Sequence, residues 1–268
     1  RALAAVVHEG SFERAARVLH VTPSAVSQRI KALEQSVGAV LVTRGAPCQA
    51  TPAGLPLVGH AEQVALLEAQ LMASLPGAAA RGAAPVLTIR LAVNADSLAT
   101  WFIDALAAFS MQAPQVRLDV AVDDQDHTAQ ALQRGEVLAA VTSQRAAVQG
   151  CNSSALGALR YVATASPAFT QRHFARGVDA AALRLAPCIV FNRKDALQAR
   201  WLKRITRAAI TPPSHWLPSS QAFVDGSLAG LGWGMNPLPL VKPLLAAGRL
   251  VELVPGKPVD VPLYWQVS

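Results

Sequence analysis

The sequence predicts an α/β protein in which a small helical head with a two-stranded wing precedes a larger body of alternating strands and helices. Three observations carry that prediction. Near the N-terminus, two short amphipathic helical patterns flank a tight turn at His20-Val21. After Thr51 a single apolar stripe at helical spacing continues to about Leu75. From Val86 onward, apolar runs of strand length alternate with runs of helix length, the pattern of a parallel-rich sheet.

The head follows residue by residue. Positions 1–9 read as the end of a first helix, with Leu3, Val6 and Val7 at helical spacing and Gly10 as its stop. Ser11 is placed to cap a second helix, and Glu13 in its first turn complements the helix dipole. Its inward face is Phe12, Ala15, Ala16 and Leu19. Thr22 caps a third helix, and Pro23 takes the first position, where a missing N–H costs nothing. Val26, Ile30 and Leu33 face inward at i, i+4 and i+7. Ser24, Ser27, Gln28 and Lys31 form the opposite, polar face, with Arg29 to one side. Gly38 ends this helix. Residues 40–42 and 50–51 read as wing strands around Gly45-Ala46-Pro47.

Thr51-Pro52 repeats the cap-plus-proline start and predicts a long helix carrying Leu57, Ala61, Val64, Leu67, Leu71 and Leu75 near one face. Pro56 is expected in its second turn, as a distortion, and Gly59 is a poor helix former. Residues 76–85, rich in Ala and Gly, read as linker. In the body, strands are expected at 86–93, 116–122, 138–142, 159–164, 189–191, 232–235, 250–253 and 262–267. Helices are expected at 98–111, 129–134, 167–175, 179–184, 196–207, 220–230 and 239–247. In such sheets ligands bind at the carboxyl ends of strands, beside helix N-termini.

Composition excludes several classes. Apolar residues make up 52%, so the chain is not disordered. The net charge of +7 is compatible with a nucleic-acid partner, but the basic residues are spread along the chain with no basic tail. Cys48, Cys151 and Cys188 show no metal-ligand or disulfide spacing, and the six histidines are scattered. No metal and no cofactor is expected. The five tryptophans are expected as packing groups. No GxSxG, P-loop, HExxH or paired-carboxylate motif is present, so no enzymatic activity is expected. No apolar run reaches membrane-spanning length and no secretion signal is visible, which makes a cytoplasmic protein the expectation.

The segment VTPSAVSQRIKALEQSVGAVLVTR (21–44), followed by ATPAG (50–54), resembles the winged helix-turn-helix of LysR-type transcriptional regulators. LAVNADSLATW (91–101), QRGEV (133–137), SSQAF (219–223) and LYW (263–265) resemble, more narrowly, the branch that controls export of arginine and lysine. The resemblance spans essentially the whole chain. It implies a winged helix-turn-helix at 1–50, a dimerising linker helix at 51–75, a hinge linker at 76–85 and an effector-binding domain at 86–268. That domain is expected to be two-lobed and similar to periplasmic binding proteins, with lobe 1 at about 86–163 plus 262–268 and lobe 2 at about 164–260. The family has a fuller first helix and a further helix after the last strand. The implied partners are double-stranded DNA at an imperfect palindrome, a small effector (lysine or arginine), a second copy in a homodimer or a dimer of dimers, and RNA polymerase. A regulator of another pathway and a transporter's solute-binding protein stay open as alternatives.

The resemblance also assigns residues. The DNA-contacting set is Thr22, Pro23, Ser24, Ser27, Gln28, Arg29, Lys31 and Arg44. Gln28 can pair bidentately with adenine, Ser27 can donate or accept, and Pro23 and Ser24 can touch a thymine methyl. Arg29, Lys31 and the wing residue Arg44 suit phosphates. For the effector, a carboxylate needs N–H and O–H donors, an ammonium needs an acceptor, and a basic side chain needs an acid. Asn94, Ala95, Asp96 and Ser97 lie between a strand and a helix. Ser97 and the amides of Ala95 and Ser97 suit the carboxylate, and Asp96 either caps the helix or takes an ammonium. Asp123 and Asp124 end a strand and suit a cationic head, unless they are only a solvated strand end. Thr142 and Ser143 end the next strand. Ser219 and Ser220 open a helix in the second lobe, where plain capping is the competing role.

Overall fold

The computed structural model describes residues 1–74, 87–123, 128–206 and 209–268. The chain forms two compact units. One comprises residues 1–93, 107–154 and 265–268, and the other residues 94–106 and 155–264.

The first unit begins with three helices: α1 (Ala2–Glu9), α2 (Phe12–Val18) and α3 (Pro23–Val37). Their stops and starts are those the sequence predicts. Gly10 and Gly38 close α1 and α3 in the left-handed region, and the hydroxyls of Ser11 and Thr22 accept from Arg14 N and Ala25 N. His20 makes the turn at φ 54°, a rare conformation for a residue with a Cβ. The core is Leu3, Val6, Ala15, Ala16, Val26 and Ile30, joined by Leu41, Val42 and Cys48 from the wing. Burying a Val, Leu or Ile contributes roughly 1.5–3 kcal/mol, so this small cluster is what holds three short helices together. The wing, β1 (Val42–Thr43) and β2 (Gln49–Ala50), is antiparallel. Two bonds tie it down: Leu41 N donates to Glu34 Oε1 at 2.8 Å, and Cys48 N donates to Gly10 O at 2.9 Å. A Cβ on Gly10 would stand 2.8 Å from Pro47 Cβ, so glycine is required there for space as well as for φ.

The long helix α4 is Leu55–Ser74, starting later than Thr51-Pro52 suggests. Thr51 Oγ1 accepts from Gly54 N at 3.1 Å and shapes a turn before the helix begins. Pro56 therefore falls in the first turn, where its missing N–H breaks no helical bond, and the distortion expected of it does not arise. Gly59 has a packing reason: a Cβ there would lie 2.6 Å from Gly135 O. The expected apolar stripe divides along its length. Val58 is buried and Leu57 packs on the head core, while Leu67 and Leu71 are exposed.

The rest of the first unit is β3 (Leu87–Asn94), β4 (Val116–Asp123), α7 (Thr128–Gln133) and β5 (Ala139–Thr142), with β3 and β5 parallel. Before β4 one helical run holds α5 (Ala95–Ser97), a π-helical stretch (Leu98–Phe102) and α6 (Ile103–Gln112), where the sequence suggests a single plain helix. The end of β11 (Val259–Val267) carries Gln266, which is fully buried. Its side chain accepts from Val148 N and donates to Gln144 O and Ala146 O, each at 3.0 Å, pinning the loop after β5.

In the second unit, β6 (Asn152–Ala165) pairs antiparallel with β9 (Gly234–Pro237) and β10 (Val251–Glu252). These pairs are antiparallel, a minority pattern that an expectation of a parallel-rich sheet leaves room for. β6 also starts earlier than its hydrophobic pattern shows, because residues 152–158 are all exposed and present no alternation to read. A short parallel pair, β7 (Cys188–Val190) with β8 (Ser214–Trp216), completes the strands; β8 is too short and proline-flanked to be seen in sequence. The helices are α8 (Pro167–His173), α9 (Ala180–Leu185), α10 (Leu197–Thr206), α11 (Ser220–Leu228) and α12 (Leu238–Ala246). Val162, Val224, Val241 and Leu250 form one core cluster. Trp201 and Trp233 are buried against each other, with ring centroids 5.2 Å apart. Trp216 is not a packing group in this sense: it is about half exposed, and Arg193 stacks over its ring at 4.7 Å.

Candidate functional site

The polar face of α3 is outward because Val26 and Ile30 are drawn into the head core. Thr22, Pro23, Ser24, Gln28, Arg29 and Lys31 are exposed, and Ser27 is half-buried. Thr22 is engaged in capping, so its hydroxyl serves the helix start. The first two turns thus present small and amide side chains, and the cationic groups follow. Arg44 directly follows β1 in the wing. Its Nη2 donates to Ser27 Oγ at 3.5 Å, and its guanidinium stacks over Phe12 at 5.2 Å. The wing cation is therefore held beside the recognition face, over the second helix. In α2, the Ser11 hydroxyl bond holds the Glu13 carboxyl below its ordinary range and keeps a negative charge at that helix's N-terminus.

The second candidate site lies within the second unit, where the Asn94–Ser97 segment meets β6 and α11. Asn94 Oδ1 accepts from Ser97 N at 2.8 Å, so Asn94 is the cap and Asp96 is not. Ser97's amide is consumed by that cap and is not offered to a ligand. Asp96 instead accepts from two hydroxyls: Tyr161 Oη at 2.7 Å and Ser220 Oγ at 2.5 Å. Tyr161 is fully buried and Ser220 nearly so. Asn94 Nδ2 and Ser97 Oγ are buried with no hydrogen-bond partner among the described residues. Buried polar groups without a partner are uncommon in native proteins. Ser219 caps α11 through Ala222 N at 3.3 Å, while its neighbour Ser220 reaches Asp96.

Thr142 and Ser143 belong to the first unit. Thr142 is buried and its hydroxyl accepts from Gln144 N at 3.1 Å. Asp123 ends β4, and Asp124 lies outside the described residues, as does the 76–85 linker. A cavity of about 430 Å³ in the second unit, lined by Ser166, Phe169, Arg172, Leu228, Gly230 and Arg249 among others, includes none of the residues expected to hold an effector. Sequence reading misses Tyr161. Its strand was visible, but nothing local marks a tyrosine whose partner is 65 positions away. No helix among the described residues is long and apolar enough to cross a membrane.

Two family models match the chain: "Bacterial regulatory helix-turn-helix protein, lysR family" over residues 1–55 and "LysR substrate binding domain" over residues 82–267. The HTH-type transcriptional regulator LysG of Mycobacterium tuberculosis is 49% identical over 99% of this chain and 85% of its own length. The crystal structure of ArgP from Mycobacterium tuberculosis matches at a TM-score of 0.81 and 47% identity, covering 99% of this chain and 88% of that one. Full-length LysG of Corynebacterium glutamicum, solved with bound effector Arg, matches at a TM-score of 0.68 and 36% identity, covering 99% and 89%.

Proposed function

The chain belongs to the LysR family of DNA-binding transcriptional regulators, and from that premise we propose that it senses a basic amino acid, lysine or arginine, and controls a gene for its export. Residues 1–50 read DNA, 51–75 pair two copies, 76–85 connect, and 86–268 bind effector, with lobes at about 86–163 plus 262–268 and 164–260. The observation that carries the ligand class is the Asn94–Ser97 segment. It offers an acceptor, Asp96, and two buried donors, Asn94 Nδ2 and Ser97 Oγ, without partners among the described residues. That set matches an α-ammonium and an α-carboxylate.

On DNA, Ser24, Ser27 and Gln28 face base edges with Pro23 against a methyl group, and Arg29, Lys31 and Arg44 meet phosphates. One such helix reads too few base pairs to select a promoter, so two copies engage an imperfect palindrome about one helical turn apart, or a multiple of it. The exposed Val64, Leu67 and Leu71 on α4 support pairing through that helix, in a dimer or a dimer of dimers. The protein acts in the cytoplasm, where RNA polymerase is its further partner.

Calorimetric titration of the full chain with lysine, arginine and the uncharged norleucine tests the effector. Saturable binding of a basic amino acid and none of norleucine is expected; binding of neither basic amino acid overturns the reading.

A further inference from the structure

Asp96 is the acidic group that the effector reading assigns to a ligand's ammonium, and its carboxylate is not free to turn. Tyr161 Oη holds Oδ2 at 2.7 Å and Ser220 Oγ holds Oδ1 at 2.5 Å. The two donors come from separate elements, β6 and α11. Tyr161 is fully buried in its strand, so its hydroxyl is fixed by packing before any ligand arrives. A phenol carries one proton, and here it is spent on Asp96. With a hydroxyl on each oxygen, the plane of the carboxylate is set. The neighbouring backbone is set too, because Asn94 Oδ1 takes Ser97 N and Thr100 Oγ1 donates to Asp96 O at 2.6 Å. The acceptor therefore has a fixed direction relative to the buried donors Asn94 Nδ2 and Ser97 Oγ.

We infer that Tyr161 is a positioning and specificity-determining residue of the effector site. Its hydroxyl, with that of Ser220, fixes the Asp96 carboxylate so that it recognises the α-ammonium of an amino acid and discriminates against ligands without one. This rests on the effector reading above. Tyr161 itself touches no ligand; it acts through Asp96. Removing its hydroxyl lets the carboxylate rotate, so the loss falls on the interaction with the ammonium and not on the rest of the ligand.

The test is titration of the full chain with lysine and arginine, each paired with its analogue lacking the α-amino group. In Tyr161→Phe, the Kd for the amino acid is expected to rise roughly tenfold, and that for the analogue to stay within about twofold. In an Asp96→Asn background, Tyr161→Phe is expected to add nothing further, since the group it positions has lost its charge. Equal losses for amino acid and analogue, or the same loss in both backgrounds, overturn the assignment and leave Tyr161 a packing residue. Should Tyr161→Phe be unfolded at the assay temperature, Ser220→Ala carries the same comparison from the other carboxylate oxygen, with the same outcomes. Wild-type protein that binds neither lysine nor arginine overturns the effector reading itself, a failure visible before any variant is made.

Discussion

The recognition helix and the Asp96 site use the same kinds of side chain in opposite ways. On α3, Ser24 and Gln28 are exposed, and their hydrogen-bonding capacity is turned to solvent. In the second unit, Asp96 accepts from Tyr161 and Ser220, both of them buried. The first arrangement asks nothing of the fold beyond an inward face of Val26 and Ile30. The second is part of the fold, because each hydroxyl is buried and donates to the carboxylate. Substitutions at the first site should therefore change binding alone, and those at the second should change stability and binding together.

The largest effect that can break this contrast is at Asp96. Asp96→Ala removes the acceptor of two hydroxyls, one of them fully buried, and is expected to cost about 1–3 kcal/mol of stability. Thermal unfolding of the full chain without ligand reads it; an unshifted midpoint would show that the hydroxyls find water instead. Gln28→Ala is the counterpart. Its stability should stay within about 0.5 kcal/mol of wild type, while discrimination at one base pair falls by about 1–3 kcal/mol. Titrations on operator variants at two salt concentrations separate this from a uniform loss. A smaller effect, about 1 kcal/mol, is expected for Thr22→Ala, which removes the cap of α3. Affinity should drop alike for all sequences, and a changed base preference would place Thr22 among the reading residues.

The smallest effect is on a surface pair. Arg160 grips Asp260 with two bonds, at 2.8 and 2.9 Å, and holds its carboxyl below the usual range. Both side chains are about half exposed, so solvent screening leaves the pair a small contribution. A depressed carboxylate stabilises the fold above its ordinary pKa, and that stabilisation is lost as pH falls through the lowered value. Wild type and Asp260→Asn should thus differ slightly near neutrality and converge in strong acid, as followed by unfolding across a pH series.

The head was largely legible in sequence because its determinants are local. Caps at Ser11 and Thr22, stops at Gly10 and Gly38, and a three-residue inward stripe each act within a few positions. The start of α4 was misplaced because Thr51-Pro52 repeats a capping pattern that here makes only a turn. In the segment 94–97 the hydrogen bonds differ from the sequence reading: Asn94 caps, Asp96 does not, and Ser97's amide is spent. The stacking of Arg44 on Phe12 depends on how the wing folds back and is not marked in sequence.

By itself the sequence determined the order of elements, the outward polar face of α3 and the family, because periodicity, capping and motif spacing are written within a few turns of chain. Tertiary structure alone decided which distant groups meet. Tyr161 and Ser220 reach Asp96 from 65 and 124 residues away. A hydrogen bond over such a separation is set by the packing of β6 and α11, and no local pattern encodes it.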